Sequence, residues 1–179
     1  MLALANGSPG LAQAQGAWLE APLESWNQAR MQVPTAPPRA DDPYLDPRCW
    51  EQVRAAEIPE DEVVAAAGWS LYGSYEGGWG VRIVRGTVSF DGMCRPMGFQ
   101  DFIFVEGAFA GTISPEPMRS RTTGAASIAA IRGGDGLTAS FVRYAEGDPL
   151  CCPSLPHIFI SYDIEWVDAA PVLIPVQGL

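Results

Sequence analysis

The sequence contains no lysine and a single histidine, His157, so its eleven basic residues are all arginines. Set against 21 acidic residues, they leave a formal net charge of −10. That field repels a phosphate backbone and argues against nucleic acid as a partner. Apolar runs long enough to cross a bilayer are missing as well, and no transmembrane segment is predicted. The four cysteines, Cys49, Cys94, Cys151 and Cys152, never occur at C-x-x-C spacing, which speaks against a zinc site. A cysteine nucleophile would need His157 as its base, across Pro153 and Pro156, and no third orienting group is identifiable. The glycines of the 73–80 stretch lack the Lys-Ser/Thr of a phosphate loop. No cofactor, no metal and no catalytic residue is therefore expected.

What is present indicates one domain of ordinary size. A chain of 179 residues buries roughly 70% of the surface that it exposes unfolded. Nearly half of it is hydrophobic, with six Trp, seven Phe and five Tyr, which excludes wholesale disorder. Nineteen glycines and sixteen prolines exceed the usual combined share of ~12%. Many turns and short elements follow, favouring β structure over a helical bundle.

The ends differ from the middle. Residues 1–15 carry no charge and are rich in small residues, with Ala12-Gln13-Ala14 as a candidate cleavage site. The basic start and the full apolar stretch of a secretory signal are missing, so a truncated signal and a plain tail both fit. Residues 16–47 are rich in proline and aperiodic, and long helices are excluded there because each proline removes a donor and restricts its predecessor. Trp18, Leu19, Leu23 and Trp26 make this stretch an arm able to dock on a surface, with a mobile linker as the alternative. Residues 48–179 form the compact domain.

Within it, Ile58-Pro59-Glu60-Asp61-Glu62 opens a short helix that ends at Gly68, with proline in the first turn and acids at the positive end of the dipole. Strands then follow. Trp69–Ser74 and Trp79–Ser89 are separated by a break at Tyr75–Gly78. Phe102–Glu106 and Phe109–Ile113 flank a tight turn at Gly107-Ala108. Ser127–Arg132 and Leu137–Tyr144 flank Gly133–Gly136, and Ile158–Trp166 pairs with Val172–Val176. Arg82, Arg85 and Arg143 read as solvent-side positions of half-buried strands. The predicted class is α+β: one curved antiparallel β-sheet with a short N-terminal helix and a Pro-rich N-terminal arm.

Disulfides are the leading use of the cysteines. Three pairings are open, of which Cys49–Cys94 with a local Cys151–Cys152 bond is favoured. Lasting disulfides imply an oxidising compartment, so the protein is read as exported.

Several segments then resemble a known family. The hairpin Phe102–Thr112, the strand Leu137–Tyr144 and the following Asp148-Pro149-Leu150-Cys151-Cys152-Pro153-Ser154 resemble the LppP/LprE family of bacterial envelope proteins. Asp91–Pro96 and Ser114–Met118 are similar to its cyanobacterial branch. The resemblance spans roughly Cys49–Val176. It implies an exported protein, periplasmic, lumenal or extracellular, with no catalytic residues to carry over. Members of the family carry a lipid on an N-terminal cysteine, and no cysteine precedes Cys49 here, so a non-lipidated protein is expected.

Two functions compete. One is a non-enzymatic structural or protein-interaction role, with Trp18 and Trp26 as anchors for another envelope or membrane-associated protein and an exposed sheet edge beside them. The other is a small-molecule or lipid binder using the concave face of the sheet, where Trp69, Tyr72, Tyr75 and Trp79 would grip a ligand. Core packing is the ordinary use of such aromatics. Glu106, Glu116, Asp135, Glu146 and Asp148 read as turn acids that satisfy local backbone donors, and His157 as a packing residue.

Overall fold

The computed structural model describes residues 16–39 and 47–176; the signal-like stretch 1–15 lies outside them. The predicted helix forms as α1 (Pro59–Ala66). Ten strands follow: β1 (Ser70–Leu71), β2 (Glu76–Gly78), β3 (Val81–Phe90), β4 (Pro96–Val105), β5 (Ala108–Thr112), β6 (Met118–Arg119), β7 (Ala126–Gly133), β8 (Gly136–Arg143), β9 (Leu155–Val167) and β10 (Ala170–Val176).

The expectation of a single curved sheet within an α+β fold is overturned. The strands form two antiparallel sheets, one of six strands in the order β1-β3-β4-β5 with β2 on β3 and β6 on β4, and one of four in the order β10-β9-β8-β7. Periodicity identifies strands but does not assign them to sheets. Pro115 and Pro117 remove two ladder donors between β5 and β6, and the division falls after β6, where a run of turns carries the chain across to β7.

The sheets pack face to face. Val81, Ile83, Phe99 and Ile103 of the first meet Leu137, Phe141, Ile160 and Tyr162 of the second, all of them buried. The other face of the first sheet is covered too: Val84, Phe102 and Phe104 pack with Trp69 and with Val64 of α1. Burial on both sides is why Phe102–Val105 reads as an unbroken apolar run. The outer face of the second sheet is open, with Phe159 exposed.

Turn chemistry fixes the hairpins. Trp79-Gly80, Glu106-Gly107 and Asp168-Ala169 all have positive φ at both residues, as two-residue hairpin turns of the primed type require. The predicted break at Tyr75–Gly78 is thereby corrected, since Glu76–Gly78 is a strand paired with Val81–Ile83 and the turn comes after it.

Residues 16–39 pack on the same core. Leu19 is buried, and Trp18, Leu23 and Trp26 lie against the inter-sheet cluster. Asn27 is buried and bridges the sheets: its amide donates to the carbonyls of Thr112 (3.0 Å) and Leu173 (2.9 Å), and its oxygen accepts the Thr112 N–H (2.9 Å). Gly111 makes room for it, because a Cβ there would collide with the Asn27 side chain.

Candidate inter-sheet cleft

The two sheets come together along β5 and β10, and on the opposite side β2 meets β7, where Gly134 lies against Trp79. Away from that contact the sheets part and leave a cleft of about 540 Å³. One wall carries Tyr72, Glu76, Arg85 and Asp101, and the other Ala126, Ser127, Ala129 and Ala130 of β7. Among the described residues β7 pairs only with β8, so its second backbone edge has no strand partner beside this opening.

The polar groups meet here because of strand register. Residues 81, 83 and 85 share one face of β3, as 99, 101 and 103 share one face of β4. Arg85 is the direct cross-strand partner of Asp101, so both point between the sheets. The solvent-side reading of Arg85 is corrected accordingly: Arg82 and Arg85 are three apart and cannot share a face.

Arg85 stands between two carboxylates. Its Nη2 donates to Glu76 Oε1 at 2.6 Å, while its Nε lies 3.7 Å from Asp101 Oδ1. The second distance is too long for a direct hydrogen bond and suits an intervening donor. Burial pushes the Asp101 carboxyl up to about 6; Arg85 pulls it down only partly, and Glu76 adds to the rise. Burial also raises the Tyr72 phenol well above its ordinary value, with the Asp101 charge adding to it. The Tyr72 ring stands edge-on to Phe90 and Phe99.

The four predicted ligand aromatics do not form one site. Trp69 is a core residue, edge-on to Phe102, with its indole N–H on the Pro34 carbonyl at 2.7 Å. Tyr75 packs on the α1 side of the first sheet, and Trp79 is a hairpin-turn residue, 81% exposed. Only Tyr72 reaches the cleft. Trp18 and Trp26 are half-buried and line a surface depression of the strap segment; they contact each other, Phe141 and Tyr162, and the Trp26 indole donates to the Thr112 carbonyl at 3.0 Å.

Cys49 and Cys94 are bonded, with Cα atoms 4.8 Å apart; the bridge ties the 3-10 turn Pro47–Gln52 to the β3–β4 loop. Cys151 and Cys152 are bonded to each other in an exposed turn after β8. His157 is exposed and extends a hydrogen-bonded row across three strands, from Ser127 to Ser140 (2.9 Å) to His157 Nδ1 (3.0 Å). Asp148 accepts the N–H groups of Ala145 (2.7 Å) and Ser154 (2.8 Å), and Glu116 accepts that of Gly16. These two acids are held by local or strap backbone. Among the described residues no cluster of His, Cys, Asp or Glu could hold a metal ion, and no helix is long and apolar enough to cross a membrane.

Residues 82–166 match the LppP/LprE lipoprotein family model. The matched segment runs from β3 into β9 and carries Arg85, Asp101 and the β7 edge, while Tyr72 and Glu76 precede it. No curated protein and no solved structure matches the chain. The LppP/LprE match and the Cys49–Cys94 bridge fit an exported envelope protein.

Proposed function

We propose that this LppP/LprE-like protein is a non-enzymatic interaction module of the envelope that docks an extended segment of another envelope or membrane-associated protein along β7. The observation that carries this reading is the free backbone edge of β7 on one wall of the inter-sheet cleft. An added strand would take its hydrogen bonds from that edge and its side-chain specificity from the facing wall. Arg85 and Glu76 read polar groups of the incoming segment, and Asp101 takes a donor across the 3.7 Å gap. The compartment is periplasmic, lumenal or extracellular. Asp91–Pro96 and Ser114–Met118 support a place in the cyanobacterial-type branch of the family.

A photo-crosslinking residue at Ser127, introduced in the native host, tests this. The expected result is a discrete adduct from position 127 and none from Glu165 on the open outer face. No adduct at 127, or equal labelling at both positions, overturns it.

A second reading rests on the size of the cleft. About 540 Å³ lies within the ~300–1,000 Å³ of small-molecule sites. A small polar ligand seated against Tyr72, Arg85 and Asp101 would raise the unfolding temperature without producing a crosslink.

A further inference from the structure

On a protein of net charge −10, three of the eleven arginines gather at one place outside the cleft. Arg95, Arg119 and Arg121 line a depression of about 260 Å³, and a second of about 360 Å³ shares Arg95, Arg121, Ser120 and Leu150 with it. Asp91 is the carboxylate that lines the smaller one, and it is already engaged. It takes the Arg95 guanidinium at 2.5 Å and the Arg95 N–H at 3.0 Å. Arg121 uses one nitrogen, Nη1, on the Leu150 carbonyl at 3.1 Å. Arg119 is exposed, and its guanidinium meets no carboxylate among the described residues. Two cationic charges are thus left over, at the rim of a concave surface.

Two features set this apart from a scatter of surface charge. Arg121 is held at φ +61°, a conformation that a branched chain avoids and that persists only where its surroundings impose it. Those surroundings are the Ser120 hydroxyl on the Pro96 carbonyl, the Thr122 hydroxyl on the Arg119 carbonyl, and the Arg121–Leu150 contact. The turn backbone and the Arg121 side chain are therefore held in place. Next to the charges lies an apolar shelf made by Leu150 (64% exposed), Tyr144, Pro153 and the Cys151–Cys152 bridge.

We propose that this depression binds a phosphate group carried on an apolar body, with Arg119 and Arg121 as forks on the phosphate oxygens and the Leu150–Cys151 shelf under the apolar part. Guanidinium forks match phosphate geometry and take it bidentately. The rest of the protein repels anions, but at physiological salt its field is screened beyond ~8 Å, and recognition is local. The phosphate comes either from a lipid headgroup or from a soluble ester. The inference stands apart from strand addition at β7, which uses none of these arginines.

The experiment uses the full chain and two probes. Titration with inorganic phosphate, followed through the arginine side-chain N–H resonances, reads the soluble source. Flotation with phosphatidylcholine vesicles, with and without phosphatidylglycerol, reads the lipid source. Response to either probe supports the site, provided that Arg119→Gln weakens it about tenfold, the equivalent of one charge-assisted contact, and that Arg119→Gln with Arg121→Gln abolishes it. Arg119 makes no side-chain contact to lose, so its variant keeps the fold. Arg132→Gln, which removes one charge elsewhere together with its contacts to Asp163 and to the Leu137 and Tyr162 carbonyls, is the control for a distant loss of charge and leaves binding unchanged. No response to phosphate or to phosphatidylglycerol overturns the proposal, as does a response that the double variant retains.

Discussion

Two buried aspartates, each facing an arginine, behave in opposite ways. Asp61 of α1 has a fully buried side chain and is saturated: Arg54 grips both oxygens at 2.5 and 2.7 Å, and the N–H groups of Glu57 and Ile58 add 2.9 and 3.4 Å contacts. Burial alone would raise its carboxyl, but the Arg54 hydrogen bond and those backbone donors together hold it below the ordinary carboxylate range. Asp101 is 4% exposed, yet its arginine is turned towards Glu76, and burial wins. The first arrangement closes the α1 end of the domain and leaves nothing to bind. The second leaves a buried acid short of donors at the edge of a cleft. A buried acid with a raised pKa that lines a cleft marks a candidate site, in contrast to a structural ion pair.

The sharpest way to break this contrast is to neutralise each acid in turn. Asp61→Asn leaves the half-buried Arg54 and the Glu57 and Ile58 N–H groups without the buried carboxylate that they share and should cost about 3 kcal/mol, measured by urea unfolding at neutral pH. A loss under about 1 kcal/mol would reduce the pair to an ordinary surface bridge. Asp101→Asn should do the opposite and stabilise the protein at pH 8 by on the order of 1–3 kcal/mol, because it removes a charge that the fold holds at a disadvantage.

The two acids also differ in the sign of their pH dependence. The fold raises Asp101 from an ordinary 3.8 to about 6, so between those values the native state binds the more protons. Its contribution makes stability fall as pH rises from about 4 to about 6, after which the loss is constant. Asp61 has a lowered value, so its stabilisation is present above the unfolded pKa and is lost as pH falls through the folded one. In Asp101→Asn the decline between about pH 4 and 6 should vanish while the acid-side loss remains. An unchanged profile in that window would show that Asp101 is not the titrating group.

The sequence reveals one of these aspartates far more clearly than the other. Asp61 follows Pro59 in a run of acids at a helix start, a pattern with a local physical cause, and α1 forms where that pattern predicts. Gly107 likewise marks its hairpin, although the turn itself is Glu106-Gly107. Asp101 falls inside β4, one residue before the stretch read as strand, since Gln100 and Asp101 interrupt the apolar run. The face of Arg85 was within reach: counting in twos from Val81 places it with the core side chains. The division into two sheets was not, because strand pairing is set by long-range register that no local pattern records. The Asp168-Ala169 turn has positive φ at both residues with no glycine to announce it, and Glu76–Gly78 pairs as a strand despite its two glycines.

A smaller change tests why Asp101 is left short. Glu76 acts on it twice, through its own charge and by holding the Arg85 guanidinium at 2.6 Å. Glu76→Gln removes the charge and weakens that hold, which frees Arg85 to close the 3.7 Å gap to Asp101. The Glu76 side chain is 43% exposed, so the lost pair itself is worth only about 0.2–1 kcal/mol, and overall stability at neutral pH should change little. The informative reading is the Asp101 midpoint, followed by carboxyl-carbon NMR, which should move down from about 6 towards the ordinary carboxylate range. If it stays in place, diversion of Arg85 is not what raises Asp101, and burial alone carries the effect. If it moves, the cleft owes its free acid to a carboxylate on the neighbouring strand, and a ligand that engages Glu76 would shift the protonation of Asp101 in the same direction.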